Sequence, residues 1–417
     1  MAKLSKFPKG FYWGASSSAH QVEGGNRNNW TLWEKENAER LAERAKRHWL
    51  LWQLELFPGM LDTKNYISGK ATDHYNRYKE DFAIAESLGH NMHRFSIEWS
   101  RVEPREGKFN EEEIEHYRKV IEELRDKNME PMVSMWHWTL PLWLEELGGW
   151  EYHKTPHYFA RYAAKLVDIL GRDVEYWITI NEPLVYAGNS YMRGDWPPGK
   201  KNILRYIRVI RNLTQGHRFA FNAIKVIDAG AHVGVSKNYI YFEAHKRRFI
   251  NLALKRAADW WWNRYFINNT VKHVDFIGLN QYFRNLINYG FNKNENEDIS
   301  ELGWELYPEA MYHSLKELAH YRKPIFITEN GLADSNDSKR AGYIKDVLGY
   351  VYKAICEDVD VRGYLHWSLT DNFEWDKGFW PRFGLVEIDY EDNLKRIIRE
   401  SAKEYAKIIR EGGVRLE

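Results

Sequence analysis

Cysteine is almost absent from this 417-residue chain, and Cys356 is its single example. An intramolecular disulfide is excluded, and a reducing, cytoplasmic home is the expectation. An excess of one charge is also missing. Lys and Arg total 60 against 59 Asp and Glu, a formal net charge of +1. A nucleic-acid footprint would need a strong basic excess, so no nucleic-acid partner is expected. No apolar run approaches the roughly 18 residues of a spanning helix, and the opening MAKLSKFPKGFYWG has no apolar signal core. No membrane partner is expected either. HExxH, clustered His/Cys ligands and an EF-hand loop are all missing, which implies neither a metal nor another cofactor. No Pro/Gly/Ser linker splits the chain, so residues 1–417 read as one domain.

What the chain has in plenty is aromatic rings. There are 19 Trp, and aromatics make up 15% of the residues. A large core accounts for most of them. The sharper reading is a sugar-binding cleft, because an indole or phenol offers a flat apolar face and a polar handle. A pyranose presents a flat C–H face to stack on it.

Short apolar runs alternate with amphipathic stretches. The pattern predicts strands near 11–16, 92–99, 130–138, 174–181, 232–240, 274–282, 323–329 and 361–369. Helices fit near 72–88, 110–127, 155–170, 203–228, 247–268, 308–321, 339–357 and 392–411, with a further one at 38–55 in the long first connection. Eight strand–helix units imply a parallel sheet closed as an α/β, (β/α)8 TIM barrel, with a doubly wound open sheet as the alternative. The polar run NKNENED at 292–298 reads as a mobile loop.

Two of the apolar runs end on carboxylates. WITINEP (177–183) finishes on Glu182, and PIFITENG (324–331) finishes on Glu329; each is beside an asparagine. A charge at the end of a buried strand costs free energy unless it is stabilised or used. One such glutamate is readily a salt bridge or a helix cap. Two of them, at the C-terminal ends of the fourth and seventh barrel strands, would face one mouth. Paired carboxylates about 5–5.5 Å apart suit cleavage of a glycosidic bond with retention: one attacks the anomeric carbon and the other protonates the leaving oxygen.

Seven motifs carry a resemblance: FPKGFYWGASSSAHQVEG (7–24), HRFSIEWSRVEP (93–104), WHWTLPLWL (136–144), TINEP (179–183), DFIGLNQYF (275–283), ITENG (327–331) and HWSLTDNFEWDKGFWPRFGLVEIDY (366–390). Together they resemble glycoside hydrolase family 1, the retaining β-glycosidases, nearly end to end. The resemblance implies that Glu182 is the acid/base and Glu329 the nucleophile. It implies that Asn181 bonds the sugar 2-hydroxyl and that Arg94 and Tyr282 contact the nucleophile. Gln21, His137, Trp138, Glu374 and Trp375 match binders of the glycone hydroxyls, and Trp367 matches the platform beneath that sugar. Singly, His137 and Trp138 would pass for core residues.

The implied activity is an exo-acting β-glycosidase on non-phosphorylated β-glucosides or short β-linked oligosaccharides, with galactosides, fucosides and mannosides also open. Glu374 stands where phospho-glycosidases carry a serine, and a carboxylate would repel a phosphate. A low-turnover sugar-binding barrel and a transglycosylase built on the same two glutamates are the alternatives. Departures from the family are Gln281, where many members have tyrosine, and a short connection, 241–273, between the fifth and sixth strands. That connection is expected to be nearly all helix. Its run Trp260-Trp261-Trp262 cannot bury every ring on one face, because successive helical residues point about 100° apart. At least one ring should lie near solvent, with room for an apolar ligand near Trp260–Tyr265.

Overall fold

The computed structural model describes residues 3–416. Eight parallel strands close into a barrel: β1 (Tyr12–Ser16), β2 (Met92–Ser96), β3 (Glu130–Trp136), β4 (Tyr176–Asn181), β5 (His232–Asn238), β6 (Phe276–Asn280), β7 (Ile325–Asn330) and β8 (Val361–Trp367). They pair in chain order, and β8 closes on β1 from Gly363↔Tyr12 to Trp367↔Ser16. Closure excludes the open-sheet alternative.

The barrel is filled in two chemical layers. Met92, Met132, Ile178, Phe276, Phe326 and Leu365 form one buried apolar cluster. Gly234 leaves room for Phe276, whose ring would lie 2.5 Å from a Cβ at that position. Two residues onward, on the same face of each strand, stand Arg94, Ser134, Ser236 and Thr328. These bond across the barrel, Arg94 Nε to Ser134 Oγ at 3.0 Å and Ser236 Oγ to Thr328 Oγ1 at 3.0 Å. The apolar layer supports a polar one directly beneath the mouth.

Several predicted helices differ in detail. The helix expected at 38–55 is two, Asn29–His48 and Leu51–Leu56, parted where Trp49 and Leu50 are extended. Asn28 caps the first through Thr31, a start signal that the reading of 38–55 passed over. Residues 392–411 are not one helix. Lys395–Ile398 pairs antiparallel with Val386–Asp389, and only Glu400–Glu411 is helical. Asn393 and Leu394, both at positive φ, make the turn between these strands.

The short 241–273 connection is not all helix either. It opens with a strand, Tyr241–Ala244, that pairs in parallel with Arg284–Ile287. Helix Phe249–Ala258 follows, then a π-helical turn Asp259–Arg264 and helix Tyr265–Thr270. The 292–298 loop, expected to be mobile, is tied to this strand pair. Asn294 Nδ2 donates to the Arg284 carbonyl at 3.0 Å, and Asn292 and Asn285 are bonded to each other. Arg284 bonds Glu305 and Glu243 and stacks over Tyr307. No helix among the described residues is long and apolar enough to cross a membrane.

Candidate active site

The structure brings all eleven candidate residues to the mouth end of the barrel strands and their following loops. Glu182 follows β4 directly. Its backbone is left-handed (φ 43°, ψ 61°), and Pro183 then starts the short helix Pro183–Ala187. Proline suits a first helical position because its missing N–H has no partner there anyway. The turn stops the strand ladder and directs the carboxyl into the barrel. Trp138 and Trp375 also have positive φ, 77° and 49°. Non-glycine residues held this way store about 1–3 kcal/mol each and gather at functional sites.

Glu329 lies in β7 and is held by two donors. Arg94 Nη1 bonds its Oε1 at 2.5 Å, and the Tyr282 hydroxyl bonds its Oε2 at 2.7 Å. Arg94 is fully buried, and its Nη2 donates to Asn181 Oδ1 at 2.8 Å. Both donors stabilise a negative carboxylate. Gly331, which ends the ITENG motif, approaches β8 too closely for any side chain. A Cβ there would lie 1.8 Å from the Trp367 carbonyl oxygen.

Glu182 is differently placed. It accepts from Asn280 Nδ2 at 2.9 Å and Asn238 Nδ2 at 3.3 Å, both on Oε1. Burial first, and then the charge of Glu329, push its carboxyl up to about 8, against the opposing pull of Asn280, Lys237 and Asn238. The two glutamates are equally buried but differ in their hydrogen-bond donors: Glu329 carries a guanidinium and a phenol, and Glu182 accepts from two amides. That is the arrangement that separates a proton carrier from an anion.

Asn181 fixes the tautomer of His137. Arg94 and Asn280 both donate to Asn181 Oδ1, so its Nδ2 must be the group 3.0 Å from His137 Nε2. That nitrogen then accepts, and the proton sits on Nδ1. Burial, and next the Arg94 charge, hold the imidazole well below its usual range, so it is neutral. Nδ1 is buried with no hydrogen-bond partner among the described residues. It is a donor ready for a ligand hydroxyl.

The remaining candidates form one aromatic and amide wall. Gln21 Nε2 donates to Asn372 Oδ1, the Phe373 carbonyl and Glu374 Oε2. Burial and Glu329 push the Glu374 carboxyl up to about 8. Trp375 stacks on His20 and His137, and Trp138 bonds the Asn181 carbonyl at 3.0 Å. Trp367, at the end of β8, lies parallel to the His137 ring 5.9 Å away. Gln281 turns aside: its side chain donates to the Phe283 carbonyl, away from both glutamates.

Sequence reasoning missed four contributors: Asn280, Asn238, Lys237 and Thr328. Asn280 sat inside a quoted motif at a strand end. Lys237 carried the same signal as Glu182, a charge in the apolar run HVGVSKNYI. In the tryptophan run, Trp260 is the ring left outside, 53% exposed. Trp261 donates to the Tyr206 hydroxyl and Trp262 to Asn238 Oδ1. No group of three or more His, Cys, Asp or Glu able to hold a metal ion occurs among the described residues.

The family model described as glycosyl hydrolase family 1 matches residues 3–276 and 242–414. The overlap falls on the short connection. A 1,4-beta-D-glucan glucohydrolase of Thermotoga neapolitana is 32% identical, covering 99% of this chain and 100% of its own. That alignment runs to 461 positions against 417 residues here, so the relative carries segments this chain lacks. Among solved structures, a beta-glycosidase from Pyrococcus horikoshii superposes with a TM-score of 0.86 at 32% identity, covering 99% of this chain and 96% of that one. The beta-glucosidase from Thermotoga maritima in complex with glucoimidazole gives 0.87 at 30% identity, covering 99% and 100%. A match that runs through both strand-end glutamates and nearly the whole barrel leaves one assignment, and the chain belongs to glycosyl hydrolase family 1.

Proposed function

We propose that the protein is a retaining, exo-acting β-glycosidase, with β-glucosides as the first substrates to try. Glu329 attacks the anomeric carbon and forms a glycosyl-enzyme, while Glu182 gives its proton to the leaving oxygen. Glu182, now a carboxylate, then takes a proton from the water that releases the sugar. Arg94 and Tyr282 aim the nucleophile, and Asn181 meets the 2-hydroxyl. Gln21, His137, Trp138, Glu374 and Trp375 bind the other glycone hydroxyls above Trp367. One catalytic domain over residues 1–417 and a cytoplasmic location, consistent with the free Cys356, complete the reading.

The observation that carries it is the contrast between the two glutamates. Glu329 is held by a cation and a phenol, whereas Glu182, equally buried, meets two amides, and burial together with the Glu329 charge pushes its carboxyl up to about 8. The Thermotoga relatives are a 1,4-beta-D-glucan glucohydrolase and a beta-glucosidase, which supports glucose as the first glycone. The test is proton NMR of fresh hydrolysis of an aryl β-glucoside. The β-anomer should appear first and mutarotate afterwards; first appearance of the α-anomer would overturn the double displacement. Glu329→Gly should lose turnover by about 10⁴-fold or more, and azide or formate should restore part of it by filling the vacated space. Transglycosylation uses the same pair, and adding an alcohol acceptor reveals it as a new glycoside.

A further inference from the structure

The short connection and the acid/base meet behind the barrel mouth. Lys237, in β5, is 1% exposed. Its ammonium donates to the Asn238 carbonyl and stands 5.4 Å from the centre of the Trp262 ring. The Trp262 indole donates to Asn238 Oδ1 at 3.1 Å. An indole N–H only donates, so the Asn238 oxygen must face Trp262. Its Nδ2 is thereby turned toward Glu182 Oε1, 3.3 Å away. A matching lock stands on the other side. Thr328 Oγ1 donates to Asn280 Oδ1 at 2.6 Å, which turns Asn280 Nδ2 onto the same Glu182 oxygen at 2.9 Å.

Two locked amides thus converge on Oε1. That oxygen is filled with donors, so the transferable proton belongs on Oε2. Resting on the reading of Glu182 as acid/base, we propose that Trp262, Asn238 and Lys237 are positioning residues for it: Trp262 locks the Asn238 amide that fixes which glutamate oxygen carries the proton, and the buried Lys237 ammonium braces the Asn238 carbonyl and the Trp262 ring.

The charges around Glu182 give the direction of the effect. Glu329, from β7, raises its proton affinity, and Lys237, from β5, lowers it. The Tyr282 hydroxyl bonds Glu329, and Arg94 reaches Asn181, the residue before Glu182. Burial, the larger influence, and then the Glu182 charge leave Lys237 near 7. The ammonium is therefore about half charged at neutral pH, and removing it should make Glu182 hold its proton more tightly.

The test reads Glu182 directly, without substrate. Carboxyl-¹³C-glutamate protein is titrated by NMR, with the Glu182 signal assigned by its loss in Glu182→Gln. In Lys237→Met the Glu182 midpoint should move upward by roughly 1 pH unit. In Trp262→Phe, which keeps the ring and removes the N–H, it should move upward by less. Kinetics supply a second readout. Trp262→Phe should lose about 10-fold in kcat/KM on an alkyl β-glucoside and less than about 2-fold on a dinitrophenyl one, because only the poor leaving group needs the proton. Thermal melts confirm that each variant folds, and the two substitutions lie on separate elements, so either alone decides. An unmoved Glu182 midpoint in a folded variant, or equal loss on both substrates, overturns the positioning role. Absence of hydrolysis by the unaltered enzyme would instead remove the glycosidase reading, while the titration still reports on Trp262 and Lys237.

Discussion

At the scale of single residues, the acid role proposed for Glu182 ties both rate and stability to its protonation. Glu182→Gln should slow poor leaving groups by about 10²–10⁴-fold and spare activated aryl glycosides in the first step, measured before the steady state. Because the acid works only while protonated, kcat/KM should fall as pH rises through about 8, and this basic limb should vanish in Glu182→Ala. The same shift affects folding. The folded protein binds this proton more tightly than the unfolded chain does. The contribution is therefore fully present below the ordinary glutamate range and is lost as pH climbs through about 8. Glu182→Gln has no such loss, so its melting temperature should gain on the parent at pH 9 and gain less at pH 5. An equal difference at both pH values would mean that Glu182 titrates alike in the folded and unfolded states.

At the scale of elements, the trimmed flank is held by pairing rather than by length. The strand pair Tyr241–Ala244 and Arg284–Ile287 takes the place of the all-helical connection expected from 241–273. Arg284 is its clasp, with both oxygens of the buried Glu305 on its guanidinium. Arg284→Ala should cost about 3 kcal/mol, since Glu305 stays buried without its cation, as read by denaturant unfolding. Hydrogen exchange should rank the elements: barrel strands slowest, this strand pair next, and residues 289–299 fastest. If 284–287 exchanges as fast as 289–299, the pair does not hold the flank. The 292–298 segment is a loop, as expected from its polar run, but its asparagines are bonded rather than solvated. Their bonds go to Arg284, Asn285 and Leu306, partners the local sequence gives no means of finding.

At the scale of the whole molecule, the two ends of the described chain meet. Lys3–Lys6 pairs antiparallel with Gly413–Leu416, and the Phe7 amide bonds the Gly412 carbonyl at 3.0 Å. This clasp lies next in sequence to β1, the strand on which β8 closes the ring. Removing residues 413–417 should lower the melting temperature by a few degrees while leaving KM for an aryl glucoside unchanged, because Glu182 follows β4 and Glu329 lies in β7. A rise in KM in the folded variant would show that the terminal pair shapes the site itself.

The sequence by itself determined the barrel and the pair of glutamates. Alternation of apolar runs with amphipathic stretches is a local signal, and a carboxylate at the end of such a run stands out without knowledge of any neighbour. Motifs around Arg94, Asn181, Tyr282 and the Trp367–Trp375 segment were legible for the same reason. Only the tertiary structure decided how the two glutamates differ. That difference comes from Arg94 on β2 and Tyr282 after β6 for one, and from Asn238 and Asn280 on β5 and β6 for the other. Hydrogen bonds between residues tens to hundreds of positions apart leave no periodicity to read. The lysine in the apolar run 232–240 meets the Trp262 ring only once the chain folds.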